Sequence, residues 1–238
     1  MQDLFDKEHF LEEYYQNSNF QKIQAFDRQF VDKEFNHCTF ANCDFHYSVL
    51  SGCIFEKCVF IGCDLSLIKI KHSGFLGVKF VDSKLIGINW AQAKKPIDFQ
   101  FERCNLNDSV FAGQALISTR IYDCTLAGCD FAKTNLRKSV FEKCNLNNSV
   151  FVDSVLTSTK FLDCTVVGGN FAEADLGKCV FDAVDLSGTR FLNTNLNFSD
   201  FSTARNYQIN PNVNKLRKTV FSLPEAVSLL GSFDIILK

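Results

Sequence analysis

The residues of this chain that could do chemistry are first of all its eleven cysteines and four histidines. The residue types and the spacing of Cys38, Cys43 and His46 suggest a zinc site. No further pair of ligands follows at the spacing of a zinc finger, however. All eleven cysteines occupy one repeated position, two residues before a large apolar residue. The set that recurs most regularly is Cys104, Cys124, Cys144 and Cys164. We therefore predict reduced thiols that fill a core, with no metal and no cofactor.

Catalytic constellations are not found in the sequence. The histidines, His9, His37, His46 and His72, all lie in the first third of the chain, and no plausible nucleophile is paired with them. The sequence has no glycine-rich phosphate loop, no nucleophile elbow and no HExxH motif. We do not expect an enzyme.

A set of acidic residues is better suited to binding than to catalysis. One acid follows each of several large apolar residues between positions 101 and 182: Glu102, Asp123, Glu142, Asp163 and Asp182. On one wall, these would form a line of carboxylates that could imitate a nucleic-acid backbone for a protein that grips DNA. Arg103, Arg120, Lys143 and Lys160 lie alongside, as on an ordinary solvated sheet face. Both interpretations stay open at this level.

The elements that must position these residues have a period of five. Large apolar residues fall at every fifth position from Phe35 to Leu85 and again from Phe101 to Phe201, usually with a small residue two positions earlier. A period of five is neither that of a helix nor that of a plain strand. It indicates a short strand followed by a corner, in which the small and the large residue share the inward face.

The number of corners per coil follows from the order of the apolar residues. From Phe101 to Phe201 they alternate between Phe and Leu types, apart from Ile121 and Val166. An even number of sides keeps each stacked column uniform, and four is the smallest even number that encloses a core. The near-duplicate segments 101–140 and 141–180, identical at 21 of 40 positions, each fit two coils of four repeat units. We predict an all-β quadrilateral β-helix of about eight or more coils. Its predicted core includes Phe101, Phe111, Phe131, Phe141, Phe151, Phe161, Phe171, Phe181 and Phe191.

The repeat divides the chain into three segments. Residues 1–34 keep large residues near the five-residue register but place Glu8, Glu13, Arg28 and Lys33 in the inward slot. Because charges there are costly to bury, we expect an N-terminal cap, irregular or helical, and a first irregular coil. Residues 35–203 form the solenoid. Its register break at 86–100 carries one extra residue, which indicates either a corner bulge or a projecting loop in which Lys94, Lys95 and Pro96 touch a partner.

Residues 204–238 form the third segment, which abandons the repeat. Ser222, Pro224 and Glu225 read as the start of a short α-helix that ends at Gly231, and an apolar tail follows. So much exposed apolar surface favours a symmetric homodimer over a purely intramolecular cap. The expected contact residues are Ala226, Val227, Leu229, Leu230, Phe233, Ile235, Ile236 and Leu237.

Composition limits the partners and the compartment. The net charge of −2 gives no general attraction to nucleic acid or to an acidic membrane surface. We see no secretion signal and no apolar run of the roughly 18–20 residues that a membrane span needs. We therefore expect a cytoplasmic protein that binds neither nucleic acid directly nor a membrane.

The repeat units CDF, CNL, CVF and TNL resemble those of the pentapeptide-repeat superfamily over residues 35–201. This resemblance implies a right-handed quadrilateral β-helix. The stretch from Asn206, with Pro211 and SLPEAVSLL, is similar to the tails of Qnr-type and mycobacterial fluoroquinolone-resistance proteins. The runs Asn135–Lys138 and Gly87–Asn89 are similar to a microcin-immunity relative.

What these narrower resemblances imply is a function. The tail would mediate head-to-head dimerisation. The rod would bind type II topoisomerase (DNA gyrase) by resembling a DNA duplex and would protect it from quinolones or toxins. The alternative is a scaffold or interaction rod with another protein partner.

Overall fold

The structure is a computed structural model that describes residues 12–94, 98–233 and 235. The chain divides into two compact units, residues 1–110 and residues 111–238, which we call the N-terminal half and the C-terminal half.

The strands are short, and the middle residue of a typical strand points inward. In Val140–Glu142, for example, Phe141 is buried while its two neighbours are partly exposed. Corners separate the strands, and the residue at each corner, two positions after the inward residue, commonly has a positive φ. The five-residue period is therefore a strand and a corner, as the sequence predicts.

The described part of the N-terminal half contains eleven parallel strands and forms a four-sided coil. Three walls are ladders with the orders β1-β4-β7-β9, β2-β5-β8-β10-β11 and β3-β6. The fourth wall is made of single bridges that join Gln24, Asp44, Asp64 and Lys84. The strands are β1 Tyr14–Gln16, β2 Asn19–Gln21, β3 Gln29–Val31, β4 Glu34–Asn36, β5 Thr39–Ala41, β6 Val49–Ser51, β7 Ile54–Glu56, β8 Val59–Ile61, β9 Gly74–Leu76, β10 Val78–Val81 and β11 Phe99–Glu102.

The C-terminal half repeats this architecture. One wall is a ladder of six strands, β12 to β17, in chain order. The other three walls are chains of parallel bridges, such as Ala115 to Asn135, Thr125 to Asn145 and Asp130 to Val150, each linking equivalent positions of successive coils. The strands are β12 Arg120–Tyr122, β13 Val140–Glu142, β14 Lys160–Leu162, β15 Val180–Asp182, β16 Asp200–Phe201 and β17 Val220–Phe221. The predicted quadrilateral β-helix is confirmed.

The interior is filled by stacked rings. Phe141 lies 5.1 Å from Phe161, and Phe161 lies 5.0 Å from Phe181, with nearly parallel planes. The thiols and the rings that the sequence assigns to the core are all buried: Phe101, Phe111, Phe131, Phe141, Phe151, Phe161, Phe171, Phe181, Phe191, Cys104, Cys124, Cys144 and Cys164. Burial of each ring contributes roughly 1.5–3 kcal/mol.

The small inward slot selects a hydrogen-bond donor as well as a small side chain. Ser139 Oγ donates to the Leu116 carbonyl at 2.7 Å, and Thr159 Oγ1 donates to the Leu136 carbonyl at 2.7 Å. In each case the acceptor lies on the preceding coil. These carbonyls satisfy the buried donors, so Ser, Thr and Cys suit this slot, although Ala174 and Val184 also occupy it.

The N-terminal segment differs from the expectation of an irregular or helical cap. From Tyr14 onwards the chain is already regular solenoid, because β1 to β4 pair with the following coil. In the first described coils, slot side chains reach solvent. Arg28 is exposed, and Lys33 Nζ donates to the Glu12 carbonyl at 2.7 Å. Glu8 lies outside the described residues.

The described residues of the register break lie within the coil. Phe60 pairs with Phe80, and Phe80 in turn pairs with Phe101, so the coil that begins at Phe80 carries the extra residue. A 3-10 helix, Trp90–Gln92, forms there, and Trp90 and Phe99 are both buried with their ring centroids 4.8 Å apart. Phe99 occupies a slot that in most coils holds a small residue.

The projecting-loop interpretation is not supported at Lys94, whose backbone bridges Gly74 and whose amide donates to the Ser73 carbonyl at 2.8 Å. This residue therefore belongs to the wall. Lys95 and Pro96 lie outside the described residues.

The C-terminal helix is present but of a different type. Glu225–Phe233 forms a 3-10 helix instead of the expected α-helix, and none of its residues is buried. Before it, Tyr207 and Ile209 are buried against the last coils, with the Tyr207 ring 5.6 Å from that of Phe201. The end of the solenoid is therefore covered by residues that the five-residue pattern does not assign.

Candidate partner-binding surface

The predicted acidic residues of the C-terminal half lie along one edge of the β12–β17 wall. Glu142 and Asp182 end strands β13 and β15, and the ladder register places them two coils apart with Leu162 between them. Asp123 and Asp163 occupy the corner that follows, again two coils apart. The four carboxylates, which we call the acidic edge, therefore alternate between two adjacent columns. Three are exposed, and Glu142 is half-buried.

None of the four carboxylates of the acidic edge has an ion-pair partner among the described residues. Asp182 accepts a hydrogen bond from Thr203 Oγ1 at 2.7 Å. Lys143 shares the corner column with Asp163, but its ammonium lies over the Tyr122 ring, 5.6 Å from the centroid. These carboxylates remain available to an external partner.

Glu102, the predicted acid in the N-terminal half, is in a different state. Lys79 Nζ lies 2.8 Å from its carboxylate, and Arg103 also pairs with it. The pKa of Glu102 is lowered, mainly by the hydrogen bond from Lys79 and to a smaller extent by that from Arg103. A carboxylate that is neutralised by two cations contributes little to a surface that imitates phosphates.

The opposite edge of the same C-terminal wall is basic. We call it the basic edge and define it by Arg120, Lys138, Lys160, Lys178, Arg217 and Lys218, all of which are exposed. Arg120 and Lys160 begin strands β12 and β14, two coils apart. The wall between the edges includes Tyr122, Val140 and Leu162, which with Arg120, Glu142 and Lys160 line a shallow groove.

The basic edge is not predicted as a surface, and Arg120 and Lys160 are noted only as neighbours of the acids. Part of the signal is present in the sequence, because Lys138 and Lys178 recur at an interval of two whole coils and must therefore stack in one column.

The thiols face the interior of the coil. All eleven cysteines are buried and free, and the described residues contain no cluster that could hold a metal ion. Burial raises the pKa of the Cys58 thiol to about 12, and its Sγ donates to the Phe35 carbonyl at 3.3 Å. The hydrogen bond with Cys164, together with burial, raises the pKa of Cys144. Such thiols are neither nucleophiles nor ligands at neutral pH.

The predicted dimer contact has exposed apolar side chains. Val227, Leu230, Phe233 and Ile235 are exposed, while Ala226 and Leu229 are partly buried. Ile236 and Leu237 lie outside the described residues. No helix in the described part of the chain has the length and apolar character that a bilayer-crossing helix needs.

The family follows from a match over most of the repeat. A model of the pentapeptide repeat region matches residues 33–96 and 97–171, and a model of eight pentapeptide repeats matches residues 170–205. This chain belongs to the pentapeptide-repeat family. No curated protein sequence matches the chain at a significant level.

One solved structure, that of a fluoroquinolone resistance protein, has a similar fold. A trypsin-treated variant of QnrB1, a plasmid-mediated fluoroquinolone resistance protein, is 18% identical, with a TM-score of 0.52, over 92% of this chain and 99% of that one. HetL, a pentapeptide-repeat protein involved in heterocyst differentiation regulation in the cyanobacterium Nostoc, is 15% identical, with a TM-score of 0.35, over 88% of each chain. At such identities the likeness to QnrB1 extends to the fold of this pentapeptide-repeat protein alone.

Proposed function

We propose that this protein is a non-catalytic, cytoplasmic binding protein that imitates the DNA backbone and binds a type II topoisomerase such as DNA gyrase. The observation that carries the proposal is the acidic edge of the C-terminal half. This edge has one carboxylate per coil: Asp123, Glu142, Asp163 and Asp182. None of them forms an ion pair with a cation among the described residues.

The spacing of these charges supports imitation of one strand. Coils of a β-helix are ~4.8 Å apart, so the acidic edge presents one negative charge per ~4.8 Å. A single strand of B-DNA carries one phosphate per ~3.4 Å of axis. The two linear charge densities are of the same order. A DNA-binding groove lined with Lys and Arg would therefore attract both surfaces.

A solved neighbour suggests the biological setting. QnrB1 is a plasmid-mediated fluoroquinolone resistance protein. By analogy we propose that the present chain protects or modulates its topoisomerase in the presence of quinolones or peptide toxins.

A supercoiling assay with purified gyrase, with and without a quinolone, tests this function. We expect micromolar protein to inhibit supercoiling or to restore it in the presence of the drug. The variant Asp123→Asn/Glu142→Gln/Asp163→Asn/Asp182→Asn should lose this effect while remaining folded. The matched control Asp82→Asn/Glu102→Gln should keep it, because those carboxylates are already paired with cations. No effect of the unmodified protein, or equal loss in both variants, would contradict the proposal.

We further propose that the protein is a homodimer through its C-terminal tail. The support is the 3-10 helix Glu225–Phe233, which buries none of its residues. Sedimentation of Val227→Ser/Leu230→Ser/Phe233→Ser should give a monomer where the unmodified chain gives a dimer. These substitutions leave the cover formed by Tyr207 and Ile209 intact. A dimer that persists in the variant would rule out the tail contact.

A second candidate function, a scaffold for another protein, is favoured by an apolar corner in the N-terminal half. Phe26 and Tyr47 are each about half exposed, Leu67 is exposed, and the Phe26 ring stacks on His46 at 4.5 Å. Affinity capture from a lysate separates the two functions. Topoisomerase subunits should be enriched under the first, and capture that is lost in Phe26→Ser/Tyr47→Ser but not in the acidic-edge variant would favour the second.

A further inference from the structure

We infer that the basic edge of the C-terminal half binds the backbone and bases of single-stranded nucleic acid. This function is independent of the topoisomerase proposal, because it uses the opposite edge of the β12–β17 wall. It also replaces the expectation, drawn from the net charge of −2, that the protein does not contact nucleic acid directly. A net charge adds the acidic and basic edges together and conceals their separation.

The cations of the basic edge form straight rows. The Lys138 amide donates to the Thr157 carbonyl, the Lys178 amide to the Asn197 carbonyl and the Phe198 amide to the Arg217 carbonyl, so successive corners stack directly on each other. Lys138, Lys178 and Lys218 therefore follow one line, two coils apart, or about 9.6 Å at the usual strand spacing.

These cations have no ion-pair partner among the described residues. The first residues of β12 to β16 stack in one column, which contains Arg120 and Lys160. One carboxylate, that of the half-buried Asp200 in β16, lies in the same column. Between Arg120 and Lys160 in that column lies the neutral Val140. Such a set of cations, with one acid among them, attracts a polyanion. When the polyanion binds, the counterions condensed on it are released.

An aromatic ring in the same row distinguishes nucleic acid from other polyanions. Phe198 occupies the corner position between Lys178 and Lys218, with 44% of its surface exposed and a φ of 62°. A bulky residue is strained in this left-handed conformation. The corresponding corners of earlier coils have the same conformation and are occupied by Ser118, Lys138 and Ser158. The Arg217 guanidinium lies over the Phe198 ring, 5.8 Å from its centroid.

An exposed ring between lysines matches the way in which proteins hold single strands. The cations follow the phosphates, while unpaired bases stack on the ring and on the guanidinium plane. A duplex hides its base faces and offers the ring nothing to stack on. An acidic peptide would use the cations but not the aromatic face. The position of Phe198 therefore favours a single-stranded nucleic acid over both.

Fluorescence anisotropy with the full-length protein and a labelled oligothymidylate of about 20 nucleotides tests this inference. We expect saturable binding at low salt and a loss of affinity as salt rises. Phe198→Ala should weaken binding by about tenfold without changing the salt slope, and Phe198→Trp should preserve binding. Lys178→Gln/Lys218→Gln should lower the salt slope by about 1.4, or about 0.7 for each lost phosphate contact.

The controls identify the ligand and the surface. Lys133→Gln, a corner lysine on a different wall edge, should bind as the unmodified protein does, and the acidic-edge variant should bind at least as tightly. Equal affinity for a duplex of the same length, competition by oligoglutamate as effective as by unlabelled oligothymidylate, or an unchanged affinity of Phe198→Ala would each overturn the inference. An absence of binding at about 50 µM protein and low salt would overturn it as well.

Discussion

The two halves of this chain build the same four-sided coil but arrange their outward charges in opposite ways. In the N-terminal half, carboxylates lie against cations of the adjacent coil: Glu102 pairs with Lys79 at 2.8 Å, Asp82 with Arg103 at 2.6 Å and Asp64 with Lys84 at 3.4 Å. In the described part of the C-terminal half, one such ion pair between adjacent coils is found, that of Asp185 with Arg205 at 3.7 Å. There, four carboxylates without an ion-pair partner lie along one edge of the β12–β17 wall, and cations without one lie along the other. Because exposed ion pairs stabilise a fold only slightly, the coil tolerates either arrangement.

The interiors of the two halves differ as well. In the N-terminal half the aromatic columns occupy adjacent walls, so that Phe35 meets Phe40 and Phe55 meets Phe60 around a corner. In the C-terminal half they face each other, and Phe151 meets Phe141 and Phe161 edge to face across the interior. The backbone register is the same in both, since Phe40 pairs with Phe60 as Phe141 pairs with Phe161. The same coil therefore accepts two distributions of core volume.

The largest expected effect comes from emptying the centre of the C-terminal core. Phe161→Ala should destabilise the protein by about 3–5 kcal/mol, because it removes a ring that stacks on both Phe141 and Phe181 and leaves a cavity. Urea denaturation measures the loss. Phe161→Leu is the control and should cost less than half as much, since the neighbouring columns already hold Leu. A loss below about 1 kcal/mol for Phe161→Ala would mean that this interior is not close-packed.

A smaller effect tests the donor role of the inward slot. Thr159→Val keeps the shape of the side chain but leaves the Leu136 carbonyl without the hydroxyl that lies 2.7 Å away. We expect a loss of about 1–2 kcal/mol in urea denaturation. Thr157→Val, on the preceding wall, is the control and should cost less, because its position is partly exposed and its hydroxyl donates to the Asp175 carboxylate at 3.0 Å. Equal stability of Thr159→Val and the unmodified protein would show that the slot requires small size alone.

The smallest effect separates the paired charges of the N-terminal half from the free ones. Hydrogen bonding from Arg103 lowers the pKa of Asp82, and hydrogen bonding from Lys79 and Arg103 lowers that of Glu102. Their contribution to stability is therefore present above the ordinary carboxyl pKa of about 4 and is lost as pH falls below it. Asp82→Asn/Glu102→Gln should lower the Tm slightly at about pH 7 and match the unmodified protein at about pH 2.

The matched comparison for this pH dependence is Asp163→Asn, which removes a carboxylate that has no described cation partner. Its Tm should differ little from that of the unmodified protein at neutral pH. If Asp82→Asn/Glu102→Gln lowered the Tm equally at both pH values, the ion pairs would not be the cause.

The sequence predicts the coil well, because the fold follows from a repeated local rule. Every fifth residue must enter the interior, and a duplication of two whole coils sets the number of sides, so the inward position of Phe141 can be predicted without coordinates. The rule fails where an end or an insertion changes the surroundings. Arg28 and Lys33 suggest an irregular segment, yet the first described coil tolerates them because Arg28 is exposed and Lys33 Nζ donates to the Glu12 carbonyl. Phe99 sits in a slot that the rule assigns to a small residue, beside the inserted Trp90.

The partner surface is less predictable for a different reason. Column positions follow from the register, and they place Asp123 and Asp163 in one corner row. Whether a carboxylate is free depends on side-chain contacts, which separate Glu102 from the other acids. Part of the basic edge can also be predicted from the register. It is recognised only when residues two coils apart, such as Lys138 and Lys178, are compared instead of neighbouring repeat units.

The most direct test of the account is a competition experiment with gyrase and a labelled DNA duplex. We predict that the unmodified protein displaces the duplex, that Asp123→Asn/Glu142→Gln/Asp163→Asn/Asp182→Asn does not, and that Asp82→Asn/Glu102→Gln displaces it as well as the unmodified protein does. Displacement that survives loss of the acidic edge, or that is lost equally when the paired carboxylates of the N-terminal half are neutralised, would contradict the claim that the free charges of the C-terminal half bind the partner.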